Sequence, residues 1–262
     1  VYIPRNHETK IRQSLNNYPV VAILGPRQCG KSTLADQIIS GIKNTIKLDL
    51  EKQSDFIQLE ETELFLDIYK EKLICLDEIQ RKPDLFKSLR PFIDEQKRNG
   101  LLLILGSASQ ELIKQSSETL AGRILFLNLT PFLISELQTS EKHGKLNVRK
   151  HWLRGGFPRA YLSLNDDLAF EWLNSFIRTY VQSDLSNLFG YNLNPAISGK
   201  LWAMLAYNHG KLLNVQDIAR SIGVTSPVIN RYIDFLAGAF LVFKLQPWFT
   251  NASKRLVKSP KV

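Results

Sequence analysis

Eight residues near the start of the chain have the types and spacing that bind phosphate. Residues 25–32 read GPRQCGKS and fit the pattern G-x-x-x-x-G-K-[ST] without a mismatch. Glycines in such a loop let backbone N–H groups approach negatively charged oxygens, and the lysine reaches the β- and γ-phosphates. The hydroxyl after the lysine is a ligand for Mg²⁺. The pattern therefore predicts a site for a nucleoside triphosphate and a magnesium ion.

This loop supplies most of the predicted nucleotide-binding residues. They comprise the whole pattern and the position after it: Gly25, Pro26, Arg27, Gln28, Cys29, Gly30, Lys31, Ser32 and Thr33. Lys31 is also a predicted catalytic residue because its charge can stabilise a phosphoryl group in transfer. Ser32 is a predicted Mg²⁺ ligand. The preceding run VVAIL is strand-like and the following STLADQII is helix-like, which is the context that the mechanism requires.

Two adjacent acids end the apolar run LICLDE, residues 73–78. At the end of a buried strand, Asp77 would be the second Mg²⁺ ligand, and Glu78 would polarise a water against the γ-phosphate. Both are therefore predicted catalytic residues, and the pair favours hydrolysis. Two acids that only end a strand are the alternative, which the phosphate loop in the same chain makes weaker.

Two further polar positions extend this predicted site. After the run LLLIL, Ser107 or Ser109 could hydrogen-bond the attacking water, although a Gly-Ser turn at a strand end explains the spacing equally well. Arg123 directly precedes the last β-prone run. It is either a solvated residue or an arginine that stabilises phosphoryl charge in a neighbouring subunit, which would require a homo-oligomer. Ser107 and Arg123 complete the predicted catalytic set.

Apolar patterning predicts the elements that hold these residues. Short β-prone runs alternate with helical patterns through the first half of the chain: VVAIL (20–24), TIKLDL (45–50), KLICLD (72–77), LLLIL (101–105) and ILFLNL (124–129). This alternation predicts an α/β domain with a buried, mainly parallel sheet. A helix opened by Pro83 and stopped by Gly100 is expected before the fourth run, kinked or split at Pro91.

The second half of the chain has a different pattern, helical from Pro131 to about Leu213. We predict a linker in the polar segment TSEKHGK (139–145). The predicted parts are a P-loop nucleotide-binding domain at 1–140, a helical lid at 141–195 and a winged-helix domain at 196–262.

The last part contains a predicted helix-turn-helix. A helix at 215–221, a turn at Gly223 and a helix with Pro227 at its first position follow each other directly. The segments FLVFKLQPW and KRLVKSPKV would then form the two strands of a wing.

Positive charge is concentrated in the same region. The chain has a formal charge of +9, and residues 196–262 contain nine Lys or Arg against two Asp. A basic helix-turn-helix can contact DNA phosphates, and the candidates are Arg220, Arg231, Lys254, Arg255 and Lys258. An acidic partner or a solvated basic face explains the same charge, and the apolar stripe of VINRYIDFL also fits a helix packed on another domain.

Composition excludes several other classes. No apolar run approaches the ~20 residues of a membrane helix, and the first residues lack a signal pattern, so we expect a cytoplasmic protein without a membrane partner. The two cysteines, Cys29 and Cys75, have no CxxC or zinc-like partner set. Neither a disulfide nor a structural metal is expected.

Six motifs, in order, resemble those of a known family. They are GPRQCGKSTLA, LDLE, LDEIQRKPDLFKSLRPFID, LILGSAS, LAGRILFLNLTPFLISEL and LRGGFPRAYL. With TYVQSDL and KRLVKSPKV, they are similar to the AAA+-type ATPases of bacteria and archaea whose core is called AAA_14 and whose C-terminal region is called DUF4143. The resemblance covers nearly the whole chain. LDEIQ, LAGR followed by LTPF-x-x-x-EL, and GGFP are its most specific parts.

The resemblance implies further features of the fold and site. The strand before Ser107 would lie between the strands that precede the phosphate loop and Glu78, an ASCE-type arrangement, with Ser107 at the sensor position. GGFP resembles the Gly-x-Pro element of signal-transduction ATPases, which implies nucleotide contacts from Gly156 and Pro158. Family members usually continue past the KSPKV segment into another domain, which implies that this chain is a fragment or a naturally short form.

Three functions remain open at this stage. The first is Mg²⁺-dependent hydrolysis of ATP to ADP, coupled to the basic winged helix. ATP is favoured over GTP because no NKxD-like motif occurs. The second is a nucleotide-gated switch with little turnover that binds DNA or protein. The third, a small-molecule kinase, is disfavoured by the adjacent acids and by the absence of an Arg-rich lid pattern.

Overall fold

The five β-prone runs form one parallel sheet in the computed structural model, which describes residues 2–107, 120–139, 147–185, 193–248 and 259–262. The strands are β1 Val20–Leu24, β2 Thr45–Asp49, β3 Leu73–Asp77, β4 Leu102–Gly106 and β5 Ile124–Asn128. Their spatial order is β2-β3-β4-β1-β5, and every neighbouring pair is parallel. The α/β prediction is confirmed, and so is the implied place of β4 between β1 and β3.

Burial explains why the apolar runs become strands. Every residue of β1, β3 and β4 is buried, whereas the edge strands β2 and β5 are partly exposed. Central strands of a parallel sheet are covered on both faces, and their sequences are therefore continuously apolar. Apolar residues of the first two helices join the strands in one core cluster, which includes Ile11, Leu15, Val21, Ile23, Leu34, Ile38, Leu103 and Leu105. Each such side chain stabilises the fold by about 1.5–3 kcal/mol.

Helices accompany the sheet throughout the first of two compact units, Val1–Ala169 and Phe170–Val262. They are α1 His7–Asn17, α2 Lys31–Ile39, α3 Gln53–Ile57, α4 Thr62–Ile68, α5 Leu85–Gln96, α6 Ile134–Thr139, α7 Val148–Arg154 and α8 Pro158–Tyr161. A turn of 3₁₀ helix, Ile79–Arg81, follows β3. The next helix, α9 Asp166–Phe176, spans the boundary between the units.

Helix α5 differs from its sequence prediction at both ends. It begins at Leu85 rather than at Pro83 and ends at Gln96, because Lys97 adopts the left-handed conformation before Gly100 is reached. Pro91 lies inside the helix and does not split it. The buried apolar stripe on both sides of the proline, from Leu85 to Ile93, packs α5 against the fold and outweighs the lost hydrogen bond.

The second unit contains the helices of the predicted helix-turn-helix. It comprises a π-helical segment Ile177–Asp184, α10 Pro195–Tyr207, α11 Val215–Ile222 and α12 Ser226–Gly238. Asn214 caps α11 by accepting a hydrogen bond from the Asp217 backbone N–H at 3.2 Å. Gly223 ends α11 with a φ of 85°, in the left-handed region that favours glycine. The turn and both helices therefore stand where the sequence placed them.

The predicted wing and domain boundaries lie partly outside the described residues. Leu212 and Leu245 each form an antiparallel bridge to Lys261, but most of the segment KRLVKSPKV lies outside the described residues. Nearly all of the predicted linker at 139–145 lies outside them as well. The wing and the three-part division at 140 and 195 stay predictions. Among the helices of the described ranges, none is long and apolar enough to cross a membrane.

Candidate functional site

Three loops leave the same edge of the sheet. The register pairs Leu24 of β1 with Gly106 of β4, and β3 runs parallel to β4 on its other side. The residues that directly follow these three strands are Gly25, Glu78 and Ser107. Ligands of open parallel sheets bind outside the carboxyl ends of the strands. The sheet therefore brings together the phosphate loop, the acid pair and Ser107.

Two glycines shape the phosphate loop for different reasons. A Cβ on Gly25 would lie 2.2 Å from the carbonyl oxygen of Leu129, so the loop can pass this backbone only without a side chain. Gly30 precedes α2 with a φ of 100°, a conformation that favours glycine. Gln28 also has a positive φ, of 61°. The chain thereby turns sharply into α2, whose N-terminal residues follow the loop.

Lys31, the predicted phosphate-binding lysine, is buried inside the 25–32 loop. Its side chain is almost inaccessible, since the residue is 4% exposed. The Nζ atom donates hydrogen bonds to the carbonyl oxygens of Gly25 at 3.1 Å and Pro26 at 3.0 Å. These carbonyls satisfy the ammonium group in this conformation, and they hold its charge at the centre of the loop.

Two other side chains of the phosphate loop have partners elsewhere in the fold. Arg27 pairs with Glu51, whose Oε1 lies 2.7 Å from Nη2. The buried thiol of Cys29 contacts the carbonyl oxygen of Leu129 at 3.6 Å, and burial raises its pKa. A raised pKa keeps the thiol protonated and unreactive. Their predicted nucleotide contacts would have to come from backbone atoms.

Asp77 is a buried acid beside the phosphate loop. It is 4% exposed, and burial raises the pKa of its carboxyl, while a hydrogen bond from the Ser32 side chain opposes this rise. Hydroxyl and carboxylate oxygens are hard ligands of the kind that Mg²⁺ prefers. The contact between Ser32 and Asp77 therefore fits a magnesium ion held by these two side chains. Within the described ranges, no group of three or more His, Cys, Asp or Glu residues is arranged to hold a metal.

Glu78 and Ser107 are in direct contact. Ser107 is fully buried and donates a hydrogen bond from Oγ to Glu78 Oε2 at 3.0 Å. The side-chain amide of Gln80 donates to the same carboxylate oxygen and to Ser107 Oγ. The general-base candidate and the sensor candidate thus belong to one hydrogen-bonded group.

Two adjoining cavities lie at this edge of the sheet. The first, of about 360 Å³, is lined by Gln28, Gly30, Lys31, Ser32, Thr33, Glu78, Pro158 and Arg159. The second, of about 170 Å³, is lined by Tyr2, Ile3, Arg5, Gly30, Thr33, Phe132, Pro158 and Leu162. They share Gly30, Thr33 and Pro158, so one elongated ligand could occupy both. The first is polar and cationic, and the second has mostly apolar walls.

Two residues of the GGFP motif have different surroundings. Pro158 lines both cavities. Gly156 lines neither and packs on Phe132, because a Cβ there would lie 2.4 Å from the Phe132 carbonyl oxygen. Its own carbonyl accepts a hydrogen bond from the Phe132 N–H at 2.7 Å. The structure thus gives Gly156 a packing contact, and the implied nucleotide contact fits Pro158 better.

Arg123 lies at the opposite edge of the sheet from the phosphate loop. Its carbonyl accepts a hydrogen bond from Val20 N–H at the start of β1, about 13 Å from the end of that strand. Its guanidinium forms a two-point ion pair with Asp94 of α5, at 2.6 and 3.0 Å. Arg123 therefore does not reach the site of its own chain. Its predicted role in a neighbouring subunit stays a prediction.

Sequence reasoning missed a buried ion pair behind the phosphate loop. Arg5 Nε lies 3.1 Å from Glu136 Oε2, and both side chains are at most 2% exposed. The guanidinium also donates to the carbonyl of Cys29 at 3.0 Å and to the carbonyl of Thr130. Glu136 accepts backbone hydrogen bonds from Asn6 and Leu133. The pair therefore ties the N-terminal segment to the loop and to the segment after β5.

Arg159, which lines the first cavity, is a further residue that sequence reasoning missed, and sequence signals existed for it and for Glu136. Glu136 belongs to the motif LTPF-x-x-x-EL, where an acid stands among apolar residues that pack. Arg159, which lines the first cavity, follows GGFP directly. It is exposed, and no ion pair engages its guanidinium in the described parts of the chain. No local pattern marks Arg5, since its partner is 131 positions away.

The DNA-contact candidates divide between described and undescribed residues. Arg220 is on α11 with its side chain 82% exposed, 3.7 Å from Asp217. Arg231 is exposed on α12, with its guanidinium over the ring of Phe235. The remaining candidates, Lys254, Arg255 and Lys258, lie outside the described residues.

Family comparison assigns the first half of the chain. Residues 17–138 match the AAA_14 family, which is described as an AAA domain. Residues 145–262 match a domain of unknown function, DUF8612. The DUF4143 part of the sequence-based resemblance is not shown by these matches.

The chain is also similar to two proteins of known sequence and to a solved structure. Uncharacterized proteins of Mycobacterium tuberculosis and Mycobacterium bovis are each 35% identical to this chain over 258 residues, covering 98% of it. The chain spans 56% of the length of each relative. The solved structure of a Walker-type ATPase of Pyrococcus abyssi is similar to this chain, with a TM-score of 0.63 and 16% identity. The match covers 100% of this chain and 93% of that ATPase. At this identity the likeness shows the fold alone.

The buried ion pair predicts a large loss of stability when one partner is removed. Arg5→Met should lower the free energy of unfolding by about 3–5 kcal/mol, because Glu136 keeps a buried charge without its cation. The double variant Arg5→Met/Glu136→Leu should recover part of this loss, because it removes the unpaired charge but leaves the backbone partners of both residues without hydrogen bonds. Urea denaturation of both variants measures the effect. If the free energy of unfolding of Arg5→Met were within about 1 kcal/mol of that of the unmodified protein, as for an exposed ion pair, the pair would not be the buried interaction described here.

The buried acid predicts a pH-dependent gain of stability when its charge is removed. Because the folded-state pKa of Asp77 is raised, its ionised form opposes folding at neutral pH; this cost shrinks as the pH falls below the raised folded-state pKa and is gone below the ordinary value of 3.8. Asp77→Asn should therefore raise the melting temperature of the nucleotide-free protein at pH 7, with a smaller gain near pH 4. Asp67→Asn, at an exposed acid, is the control. A lower melting temperature for Asp77→Asn at pH 7 would refute this electrostatic reasoning.

Proposed function

We propose that the Val1–Ala169 unit binds ATP with Mg²⁺ and hydrolyses it to ADP. The observation that carries this proposal is the cavity of about 360 Å³ in which Lys31, Ser32 and Glu78 line one space. It combines a cation for phosphate, a metal-binding hydroxyl and a general base. The match of residues 17–138 to an AAA-domain family supports the same function.

Phosphate binding would use groups that the loop already presents. The backbone N–H groups around Gly30 and the N-terminus of α2 offer hydrogen bonds and positive partial charge to the phosphates. Lys31 Nζ would exchange the carbonyls of Gly25 and Pro26 for β- and γ-phosphate oxygens. Arg159 would add a second cation from the lid side of the same cavity.

Metal binding would fall to the Ser32 hydroxyl and the Asp77 carboxylate, whose contact in this structure matches the predicted ligand pair. A bound Mg²⁺ neutralises charge on the β- and γ-phosphates. Asp77 keeps a raised pKa because it is buried. A nearby cation would favour its ionised form, so metal and acid stabilise each other.

Water activation would fall to Glu78. Its carboxylate lines the phosphate cavity and would accept a proton from the attacking water. Ser107 holds this carboxylate with a 3.0 Å hydrogen bond. A base next to the phosphates, rather than an acceptor-substrate site, favours hydrolysis over a kinase reaction.

The second cavity suits the base of the nucleotide. Its apolar walls include Ile3, Phe132 and Leu162, and it adjoins the phosphate cavity at Gly30 and Pro158. Aromatic and aliphatic side chains are typical of sites that hold a planar base. ATP would thus extend from the acid pair to the N-terminal segment.

Two substitutions test the proposed hydrolysis. Lys31→Ala should weaken ATP binding by about 10- to 100-fold, because it removes hydrogen bonds from a charged donor. Glu78→Gln should retain ATP and lower turnover by about 10²- to 10⁴-fold, because it removes the base. Phosphate release and equilibrium ATP binding measure the two effects. Lys10→Ala and Glu95→Gln, at exposed positions of α1 and α5, are the controls.

Several results would exclude hydrolysis. Turnover that survives in Glu78→Gln would remove its proposed role, and absence of ATP binding would remove the whole proposal. Tight ATP binding without turnover in the unmodified chain would instead favour a nucleotide-gated switch.

A second proposed activity belongs to the Phe170–Val262 unit, which would form a winged helix that binds DNA. Two observations favour it. Arg220 and Arg231 are exposed on consecutive helices with helix-turn-helix spacing. Leu212, Leu245 and Lys261 form antiparallel bridges where the base of a wing is expected. The nucleotide state of the first unit would then control this activity.

Salt dependence tests the DNA proposal. Affinity for duplex DNA should fall steeply between 50 and 200 mM salt, because bound cations on DNA are released. Arg220→Ala should reduce the slope of the log–log plot by about 1 if it contacts a phosphate. Lys87→Ala, an exposed lysine of the first unit, is the control. Filter binding across salt concentrations gives these slopes, and a flat response would reject DNA binding.

A further inference from the structure

We infer that Gln80 is a positioning residue that orients the carboxylate of Glu78 for the reaction, an inference that rests on the proposed hydrolysis. Gln80 lies in the 3₁₀ turn Ile79–Arg81, directly after the acid pair. It lines neither of the two cavities at this edge of the sheet. Its effect would therefore pass through Glu78.

The hydrogen bonds around Glu78 are asymmetric. Oε2 accepts one bond from Ser107 Oγ, at 3.0 Å, and another from the side-chain N–H of Gln80. Gln80 Nε2 also donates to Ser107 Oγ at 2.8 Å, so the three side chains form a closed group. Within the described residues, no donor contacts Oε1 of Glu78. One carboxylate oxygen is thus anchored, and the other is left to accept a proton from water.

The amide of Gln80 can take only one orientation in this group. Its Oε1 is buried and has no hydrogen-bond partner among the described residues. Rotation of the amide by 180° would place this oxygen against the Glu78 carboxylate, where two acceptors would repel each other. The amide therefore keeps its N–H groups on Glu78 and Ser107, and the unpaired carbonyl is the cost of that orientation.

The backbone also commits Glu78 to this arrangement. Glu78 has φ 56° and ψ 48°, in the left-handed region that is unfavourable for a residue with a side chain. Its N–H donates to Asp77 Oδ1 at 3.0 Å, and its carbonyl accepts from the Arg81 N–H at 3.0 Å. The fully buried Ile79 anchors the turn between them. This sharp turn brings Gln80 back over the carboxylate two residues earlier.

Loss of the Gln80 donor should therefore affect the chemical step rather than nucleotide binding. Gln80→Leu should lower kcat by about 10- to 100-fold, because a misplaced base loses reactive geometry. KM and the equilibrium affinity for ATP should stay within about twofold, since no change is made in the lining of either cavity. The matched control is Arg81→Gln, an exposed position of the same turn whose side chain forms no hydrogen bond or ion pair within the described residues.

Repeating the Gln80 substitution in the Glu78→Gln variant separates a positioning role of Gln80 from a general structural effect. In Glu78→Gln, where the base is already gone, adding Gln80→Leu should change the residual single-turnover rate by less than about twofold. Gln80→Glu, which replaces the amide donor by a carboxylate, should be at least as slow as Gln80→Leu.

The outcomes distinguish this inference from the proposed function. Turnover of Gln80→Leu equal to that of Arg81→Gln would overturn the inference and leave the ATPase intact. An equal loss of rate in the Glu78→Gln background would also overturn it, because the effect would not pass through Glu78. Absence of turnover in the unmodified chain would overturn the proposed hydrolysis and this role together.

Discussion

Parallel pairing of β4 with β1 on one side and β3 on the other brings the phosphate loop, the acid pair and Ser107 of the candidate site together. Because all three strands run in the same direction, their carboxyl ends meet at one edge. The phosphate loop, Glu78 and Ser107 each directly follow a buried strand, and Asp77 is the last residue of β3. Their backbone positions are therefore set by buried strands of the core.

This edge of the sheet concentrates buried charge, and the fold contains specific partners for it. Lys31 is bonded to the loop carbonyls, Asp77 to Ser32, and Arg5 to Glu136. Buried charges destabilise a fold unless they are paired and hydrogen-bonded. Lys31 and Asp77 have partners that a bound nucleotide and metal could replace. Arg5 and Glu136 have partners in the fold itself, which makes their role supportive.

The sequence predicts the strands of this fold well, because each is a short apolar run between polar residues. It predicts the acid pair and the phosphate loop for a related reason, since their spacing in sequence sets their chemistry. Arg5 could not be found in this way, because it acts through carbonyls and a carboxylate that are distant in sequence.

Three other positions show what a sequence pattern leaves open. Arg123 has the residue type of a catalytic arginine, but the strand direction carries it to the far edge of the sheet. Gly156 belongs to a motif that resembles a nucleotide-contact element, but in the structure it packs closely against Phe132. The ends of α5 depend on packing and on the left-handed Lys97, which the positions of Pro83 and Gly100 did not indicate.

The most direct test of the central claim is a crystal structure with Mg²⁺ and a non-hydrolysable ATP analogue. Our account predicts the triphosphate along the 25–32 loop, the metal between Ser32 and Asp77, and the base against Phe132. It also predicts that Lys31 Nζ leaves the carbonyls of Gly25 and Pro26 for the phosphates. An analogue bound elsewhere, or a Lys31 that stays on those carbonyls beside a bound triphosphate, would contradict it.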